Sequence, residues 1–421
     1  MKEWKTYRVG DICSSISETY KDHSKEVVLI NTSDVLEGRC LNHEFVPNKD
    51  LKGQFKKVFK FGDILYSEIR PANKRFAYID FDATNYIAST KLMVIRNNDK
   101  VTNRFLYHYL KSESTIAELQ ALAESRSGTF PQITFSELSQ LEISIPDIET
   151  QLAISGFIDT LESKIELNRQ INDNLEQQAQ ALYKSWFVDF EPFKDCEFVD
   201  SELGLIPEGW QVGTYEQIIQ TTISGDWGKD IMTGNYTHKV ACVRGCDFQD
   251  MSIGVRGKTP ERYILEKNYQ AKRLIDNDVI VEISGGTSTI STGRVCLINA
   301  DLLGKYNNDI VCTNFCKVVR PIQSYGAYLY YSWKYKYDCR VMFGYENGTS
   351  GIKNFQISDF LSKEPVIIPS ASSIKEFQTI IDTLQNNIQT NGSEIMKLES
   401  LRDSLLPKLM SGELEINEID C

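Results

Sequence analysis

Nowhere does the chain carry an apolar run approaching the roughly 20 residues needed to cross a bilayer, so no membrane span is expected. Charged residues interrupt the segment from Met1 to Gly10, so no secretory leader is expected either. Histidine is scarce, and none of the 4, His23, His43, His108 and His238, stands in a pattern with a nucleophile. No Asn-Pro-Pro-Tyr or Asp-Pro-Pro-Tyr segment and no paired-glycine loop after a strand offers a site for a methyl donor. Gly254 and Gly257-Lys258-Thr259 imitate a phosphate-binding loop, but Ser252 stands where the first glycine should be. Pro146-Asp147 with Glu162 and Lys164 imitates a nuclease signature, yet positions two apart on a helix point about 200° away from each other and cannot share a metal. These absences weigh against a free-standing enzyme and imply no cofactor or metal of the chain's own.

The 10 cysteines, in a chain without an export signal, read as reduced thiols of a cytoplasmic protein. Cys242, Cys246, Cys312 and Cys316 are spaced one residue wider than a zinc knuckle, and three of them lie in apolar, strand-like runs. They read as small buried hydrophobes. Proline is missing from Ile148 to Phe190, and Pro407 falls near the end of a second long segment. Both stretches are therefore free to be long helices.

What is present is a duplication. Ile158-Asp159-Thr160-Leu161 recurs letter for letter at Ile381-Asp382-Thr383-Leu384, 223 positions later. Trp4 matches Trp210, Asp34 matches Asp247, and Phe61-Gly62-Asp63-Ile64-Leu65 matches Asp276-Asn277-Asp278-Val279-Ile280. Arg75-Phe76-Ala77-Tyr78-Ile79 is answered by Arg294-Val295-Cys296-Leu297-Ile298. The offset grows from 206 at the start to 223 at the helix, so the second copy has gained loop residues. A domain-plus-helix unit is written twice.

Within each helical segment the apolar positions alternate steps of three and four, as in a coiled-coil seam. The first copy runs through Ile158, Leu161, Ile165, Asn168, Leu175 and Leu182; the second through Ile381, Leu384, Ile388, Asn391, Leu398 and Leu405. A rod on the order of 55 Å follows from the helical rise, which outreaches one domain. The first helix delivers the chain to the second domain and the second must return, so the pair is expected to be antiparallel, with pseudo-twofold symmetry. Asn168 and Asn391 occupy equivalent seam positions, where a polar residue fixes register, and are expected to lie close together.

The formal charge of −12 is unevenly spread. Residues 1–148 carry 20 basic and 20 acidic side chains and 193–371 carry 19 and 21, whereas 149–192 carry 3 and 8 and 372–421 carry 4 and 9. The acidic helices suit protein partners better than phosphates. Inside the neutral domains, basic residues gather at equivalent places: Lys49, Lys52, Lys56, Lys57 and Lys60 before one turn, Arg256, Lys258, Arg262, Lys267, Lys272 and Arg273 before the other. Two such runs in one place point to a phosphate-facing surface. Loops of small polar residues accompany them at 70–75, 125–129, 284–289 and 346–350. Glycine lets a backbone approach a groove, and Arg, Asn and Ser side chains can read base edges. The candidate DNA contacts are Lys56, Lys57, Arg70, Lys74, Arg75, Ser127 and Thr129 in the first half. In the second they are Arg244, Arg256, Lys258, Ser284, Thr287, Arg294, Asn347 and Thr349. The cluster Tyr328, Tyr330, Tyr331, Trp333, Tyr335 and Tyr337 reads as a helix packed on a sheet. Short strands are expected at 27–30, 64–66, 76–79 and 91–95, with helix near 103–124.

Three segments resemble the specificity subunits of type I restriction-modification enzymes. They are Ala181-Leu182-Tyr183-Lys184-Ser185-Trp186-Phe187-Val188-Asp189-Phe190-Glu191-Pro192-Phe193, Gly204-Leu205-Ile206-Pro207-Glu208-Gly209-Trp210 and Leu405-Leu406-Pro407-Lys408-Leu409-Met410-Ser411-Gly412-Glu413-Leu414. The resemblance implies an α+β chain of two tandem pseudo-symmetric α/β target recognition domains, separated by two long helices forming an antiparallel coiled coil. Residues 1–148 and 193–371 would be the recognition domains, 149–192 and 372–412 the spacer helices, and 413–421 an acidic tail. It further implies that each domain reads one half of a split site in double-stranded DNA. Methyltransferase subunits, two of them, would dock on the helices, and restriction (nuclease-translocase) subunits would join. Methyl donor, metal and ATP would belong to those partners. The competing reading is a coiled-coil adaptor that binds no DNA.

Overall fold

The computed structural model describes residues 4–22, 24–49, 53–125, 131–287, 289–322, 324–348 and 353–416. The chain forms two compact units, Met1–Ser163 with Glu399–Cys421, and Lys164–Leu398.

In the first unit the apolar strand Ile64–Ser67, buried along its whole length, is central. It lies in an antiparallel sheet ordered Cys13–Ile16, Leu92–Asn97, Ile64–Ser67, Phe76–Tyr78. A second sheet pairs Tyr86–Ser89 in parallel with Glu26–Ile30, flanked by Phe45–Pro47 and Phe55–Lys57. The second unit repeats this plan. Val279–Glu282, also wholly buried, sits in the order Ile219–Ser224, Cys316–Pro321, Val279–Glu282, Val295–Leu297. Tyr236–Val243 pairs in parallel with Asp309–Cys312 and antiparallel with Glu261–Leu265. Continuous Val/Ile runs suit strands covered on both faces, and the duplicated sequence yields a duplicated topology.

The copies share smaller details. Asp63, 1% exposed, receives both arms of Arg96 at 2.7 Å, and Asp278, 0% exposed, receives both arms of Arg320 at 2.8 and 2.9 Å. The same carboxylates cap their turns, accepting from the Lys60 and Ile275 amides at 2.9 Å. Asp34 and Asp247 likewise accept from the Asn31 and Arg244 amides. The helix expected near 103–124 is two, Asn103–Leu110 and Glu113–Glu124, because the Ser112 hydroxyl caps a new start by accepting from the Thr115 amide. The tyrosine-rich segment is the helix Gly326–Asp338, and Tyr328, Tyr330, Tyr331 and Trp333 are core.

Two long helices run Ile148–Phe187 and Ala371–Ser411, the second continuing through Pro407. Within each unit they pack antiparallel. In the first, Ile154 and Ile158 share a core with Leu406 and Leu409, and Arg402 lies 3.8 Å from Glu162. In the second, Tyr183 and Trp186 meet Phe377, and Asn168 donates to Glu394 at 2.8 Å. Every candidate seam residue is buried or half-buried, Leu175, Leu182, Leu384, Asn391, Leu398 and Leu405 being half-buried. The polar pair differs from expectation by one turn: Asn391 donates to Asn172, at 2.8 Å, four positions beyond Asn168.

The first helix also holds a polar cluster. Asp159 accepts from Arg104 and from the buried His108 Nε2, and Glu162 pairs with Lys111. Among the described residues, His108, Asp159 and Glu162 are a grouping of potential metal ligands. Arg104, Lys111 and Arg402 already neutralise its carboxylates, so it is an ion-pair network. Burial above all holds His108 below its ordinary 6.5. Folding therefore favours the neutral ring. The stability this represents is full above pH 6.5 and is lost as pH falls through the lowered folded value. His108→Gln should flatten the fall in urea midpoint between about pH 7 and pH 5; equal falls in both proteins would contradict this.

Candidate nucleic-acid interface

The first half presents the loop Arg70-Pro71-Ala72-Asn73-Lys74-Arg75 beside the strand Phe76–Tyr78. Arg70 and Lys74 both adopt left-handed backbone, with φ of 44° and 52°. Such conformations cost about 1–3 kcal/mol each and persist only where neighbours impose them. Here the Arg70 amide donates to Pro131, the Ala72 amide to the Gln120 side chain, and the Lys74 ammonium pairs with Glu113. The loop is thus rigid, and the exposed Arg70 guanidinium has no hydrogen-bond or ion-pair partner among the described residues. Arg75 is turned inward, donating to the carbonyls of Ser33 and Val35. Ser127 and Thr129 lie outside the described residues.

In the second half two separately expected loops become one platform. Ser284–Gly285 and Glu346–Asn347 flank Lys353–Phe355 in a three-stranded antiparallel sheet. The Ser284 hydroxyl donates to Asn354, and the Thr287 hydroxyl accepts from the Thr289 and Ile290 amides, closing a tight turn. Gly286 fits this turn with φ of 75°. Beneath it, Trp333 donates to the Gly293 carbonyl and Tyr337 to that of Ser291. Glu346 binds Thr292 twice and Lys353 once. Thr287 and Asn347 are exposed, and Thr349 lies outside the described residues. Asn354 was not singled out from sequence; only its strand pairing reveals it.

The cations divide into two classes. Lys57 donates to the Thr90 and Leu92 carbonyls at 3.1 and 2.7 Å, and burial pushes its ammonium below 10.5. Arg244 grips Asp247 with two nitrogens and reaches the Lys258 carbonyl. Arg294 is held bidentate by Glu282, both contacts at 2.8 Å. With Lys74 and Arg75 these groups are engaged within the fold. The charged side chains of Lys56, Arg70 and Lys258 are exposed without partners among the described residues, and exposed Arg256 lies 5.9 Å from the Tyr306 ring centre. Only this second class offers free positive charge.

Cys242, Cys312 and Cys316 are buried and Cys246 is exposed, and among the described residues the four form no grouping of potential metal ligands. Burial pushes the Cys242 and Cys312 thiols up to about 12, as for small buried hydrophobes.

Residues 1–177 match the family described as Type I restriction modification DNA specificity domain. Over 473 residues the chain is 33% identical to the Type I restriction enzyme HindI specificity subunit of Haemophilus influenzae, covering 98% of this chain and 100% of that protein. The chain belongs to the type I restriction-modification specificity subunits. The MjaIX specificity subunit of Methanocaldococcus jannaschii is 25% identical over 387 residues, covering 89% of this chain and 82% of its own. A solved type I S subunit from M. genitalium aligns over 97% of this chain and 96% of its own, at 16% identity and TM-score 0.49. A specificity subunit recognises DNA and is not itself a catalyst. Among the described residues of this one, no helix is long and apolar enough to cross a membrane.

Proposed function

We propose that this specificity subunit reads an asymmetric, interrupted site in double-stranded DNA. Residues 1–148 act on one half-site and residues 193–371 on the other. The observation that carries this reading is the repeated domain plan with unlike loops: a strained arginine-bearing loop in one copy, a Ser/Thr/Asn platform in the other. One scaffold with different reading edges suits two different short base sequences, since base edges in the major groove are told apart by side-chain donors and acceptors. Lys56, Arg256 and Lys258 contact phosphates, and Arg70, Ser284, Thr287 and Asn347 approach bases. Ser127, Thr129 and Thr349 take part in the same reading of bases. Lys57, Lys74, Arg75, Arg244 and Arg294 position those groups from behind. The acidic long helices receive two methyltransferase subunits, and restriction subunits complete the assembly. The protein works in the cytoplasm beside the chromosome, a setting its free cysteines support.

Titrating duplex DNA into the complex with its methyltransferase partner, across a range of salt, tests this. Binding should weaken steeply with salt, and Lys56→Ala, Arg256→Ala and Lys258→Ala should each lower the slope by about one. Lys57→Met should leave the slope unchanged, its ammonium being bound to carbonyls. A slope equally sensitive to Lys57 would refute the division between free and engaged cations. A complex indifferent to duplex would favour the adaptor reading.

A further inference from the structure

Within the second unit, a turn of the globular part is driven backbone against backbone onto the second long helix. A Cβ on Gly392 would lie 2.1 Å from the Gly254 carbonyl oxygen, and one on Gly254 would lie 2.5 Å from the Ile388 carbonyl oxygen. Gly254 also takes φ of 71°, a conformation that favours glycine. Both positions therefore require glycine. The contact is surrounded by donors. Asn172 of the first long helix, fully buried, donates to the carbonyls of Ile253 at 2.9 Å and Ile388 at 3.1 Å. The Lys305 ammonium, just past the short helix Ala300–Gly304, donates to the Gly254 carbonyl at 2.6 Å, the Gln389 carbonyl at 2.7 Å and the Gln389 side-chain oxygen at 2.8 Å. All three of its hydrogens find acceptors.

Gly392 is the sole glycine of the helix Ala371–Ser411. One turn away on either side a side chain would occupy the place of the Gly254 carbonyl, so the turn can seat at a single axial position. The equivalent position in the first copy, 223 residues earlier, is Arg169, which has the Cβ that this approach forbids. The corresponding turn there is the hairpin of Val35–Leu36 and Arg39–Cys40, whose Gly38 packs against Tyr107. The device belongs to the second half.

We propose that Gly254, Gly392, Asn172 and Lys305 form a clasp that fixes where along the helix pair the second recognition domain sits, and so fixes the length of the gap between the two half-sites. The proposal rests on the bipartite reading above. The clasp removes this domain's freedom to slide along the helix pair or rotate about it. It makes these four positioning residues: none is assigned a DNA contact.

The test uses the full chain assembled with its methyltransferase partner and a panel of duplexes bearing both half-sites at the native gap, one base pair shorter and one longer. The parent should prefer one gap. Gly392→Ala, which drives the two backbones apart, and Lys305→Met, which removes all three of the ammonium's hydrogen bonds, should each lower that preference by roughly tenfold or more, while each half-site sequence is still required. If Gly392→Ala does not assemble, Lys305→Met, which leaves the backbone contact intact, decides alone. An undiminished preference in the variants, or a loss of affinity equal at all three gaps, would overturn the clasp. A parent indifferent to the gap would overturn the bipartite reading and the clasp together, so the two failures are distinct.

Discussion

Asp278→Ala lowers the stability of the second unit by about 3–5 kcal/mol, the consequence of stranding a cation that the fold has enclosed with its partner. The Asp278 carboxylate is fully buried and accepts both arms of Arg320 and the Ile275 amide. Removing it leaves a guanidinium only 20% exposed, and a turn without its cap. Asp63→Ala should do the same to the first unit, where Arg96 and the Lys60 amide lose their acceptor. Hydrogen exchange followed by mass spectrometry reads the two effects separately. Each variant should deprotect its own central strand, Val279–Glu282 or Ile64–Ser67, and spare the other. A loss below about 1 kcal/mol, the range of exposed pairs, would mean that the pairs are ornaments of the fold.

Phe377→Ala should destabilise the second unit by a similar amount, about 3–5 kcal/mol. The Phe377 ring has 0% exposure and lies 4.9 Å from Phe187, 6.0 Å from Trp186, and 6.4 Å from Tyr183 and Tyr331, centre to centre. These neighbours come from the first long helix and from Gly326–Asp338, so the cavity opens where three helices share one aromatic core. Close-packed rings cannot collapse to fill such a void. Protection should fall at 183–187 and 328–333 together. Loss confined to one helix would show that the aromatic junction is not a single cooperative unit.

The architecture was largely legible because duplication supplies its own control. The repeat of Ile158-Asp159-Thr160-Leu161 set the two helices in one register, and Gly62-Asp63 matched with Asn277-Asp278 marked equivalent turns. The pairing of Asn391 with Asn172 in place of Asn168 shows where this stopped. Counterparts face each other only on a pseudo-twofold axis, and elsewhere a residue meets its counterpart's neighbour. Heptad spacing fixes the packed face and connectivity the direction, but neither chooses between polar residues one turn apart. The loops of the proposed reading surface were also visible as runs of glycine and small polar residues. Which cations remain free was not visible. Arg294 and Glu282 are 12 positions apart, and Lys57 lies 33 and 35 positions from the carbonyls it binds, so their approach depends on strand pairing that composition does not reveal. The Gly254–Gly392 contact joins residues far apart in sequence and is invisible without coordinates.

The central claim is tested most directly by mapping adenine methylation across the genome of cells that express this chain with its methyltransferase partner, against cells lacking only the chain. Two short blocks of specified bases around a gap of fixed length and free sequence, methylated only when the chain is present, are the expected result. Variants of Arg70 should then alter one block, and variants of Asn347 the other. A continuous motif, or no chain-dependent methylation from a complex shown to assemble, would contradict a bipartite reader.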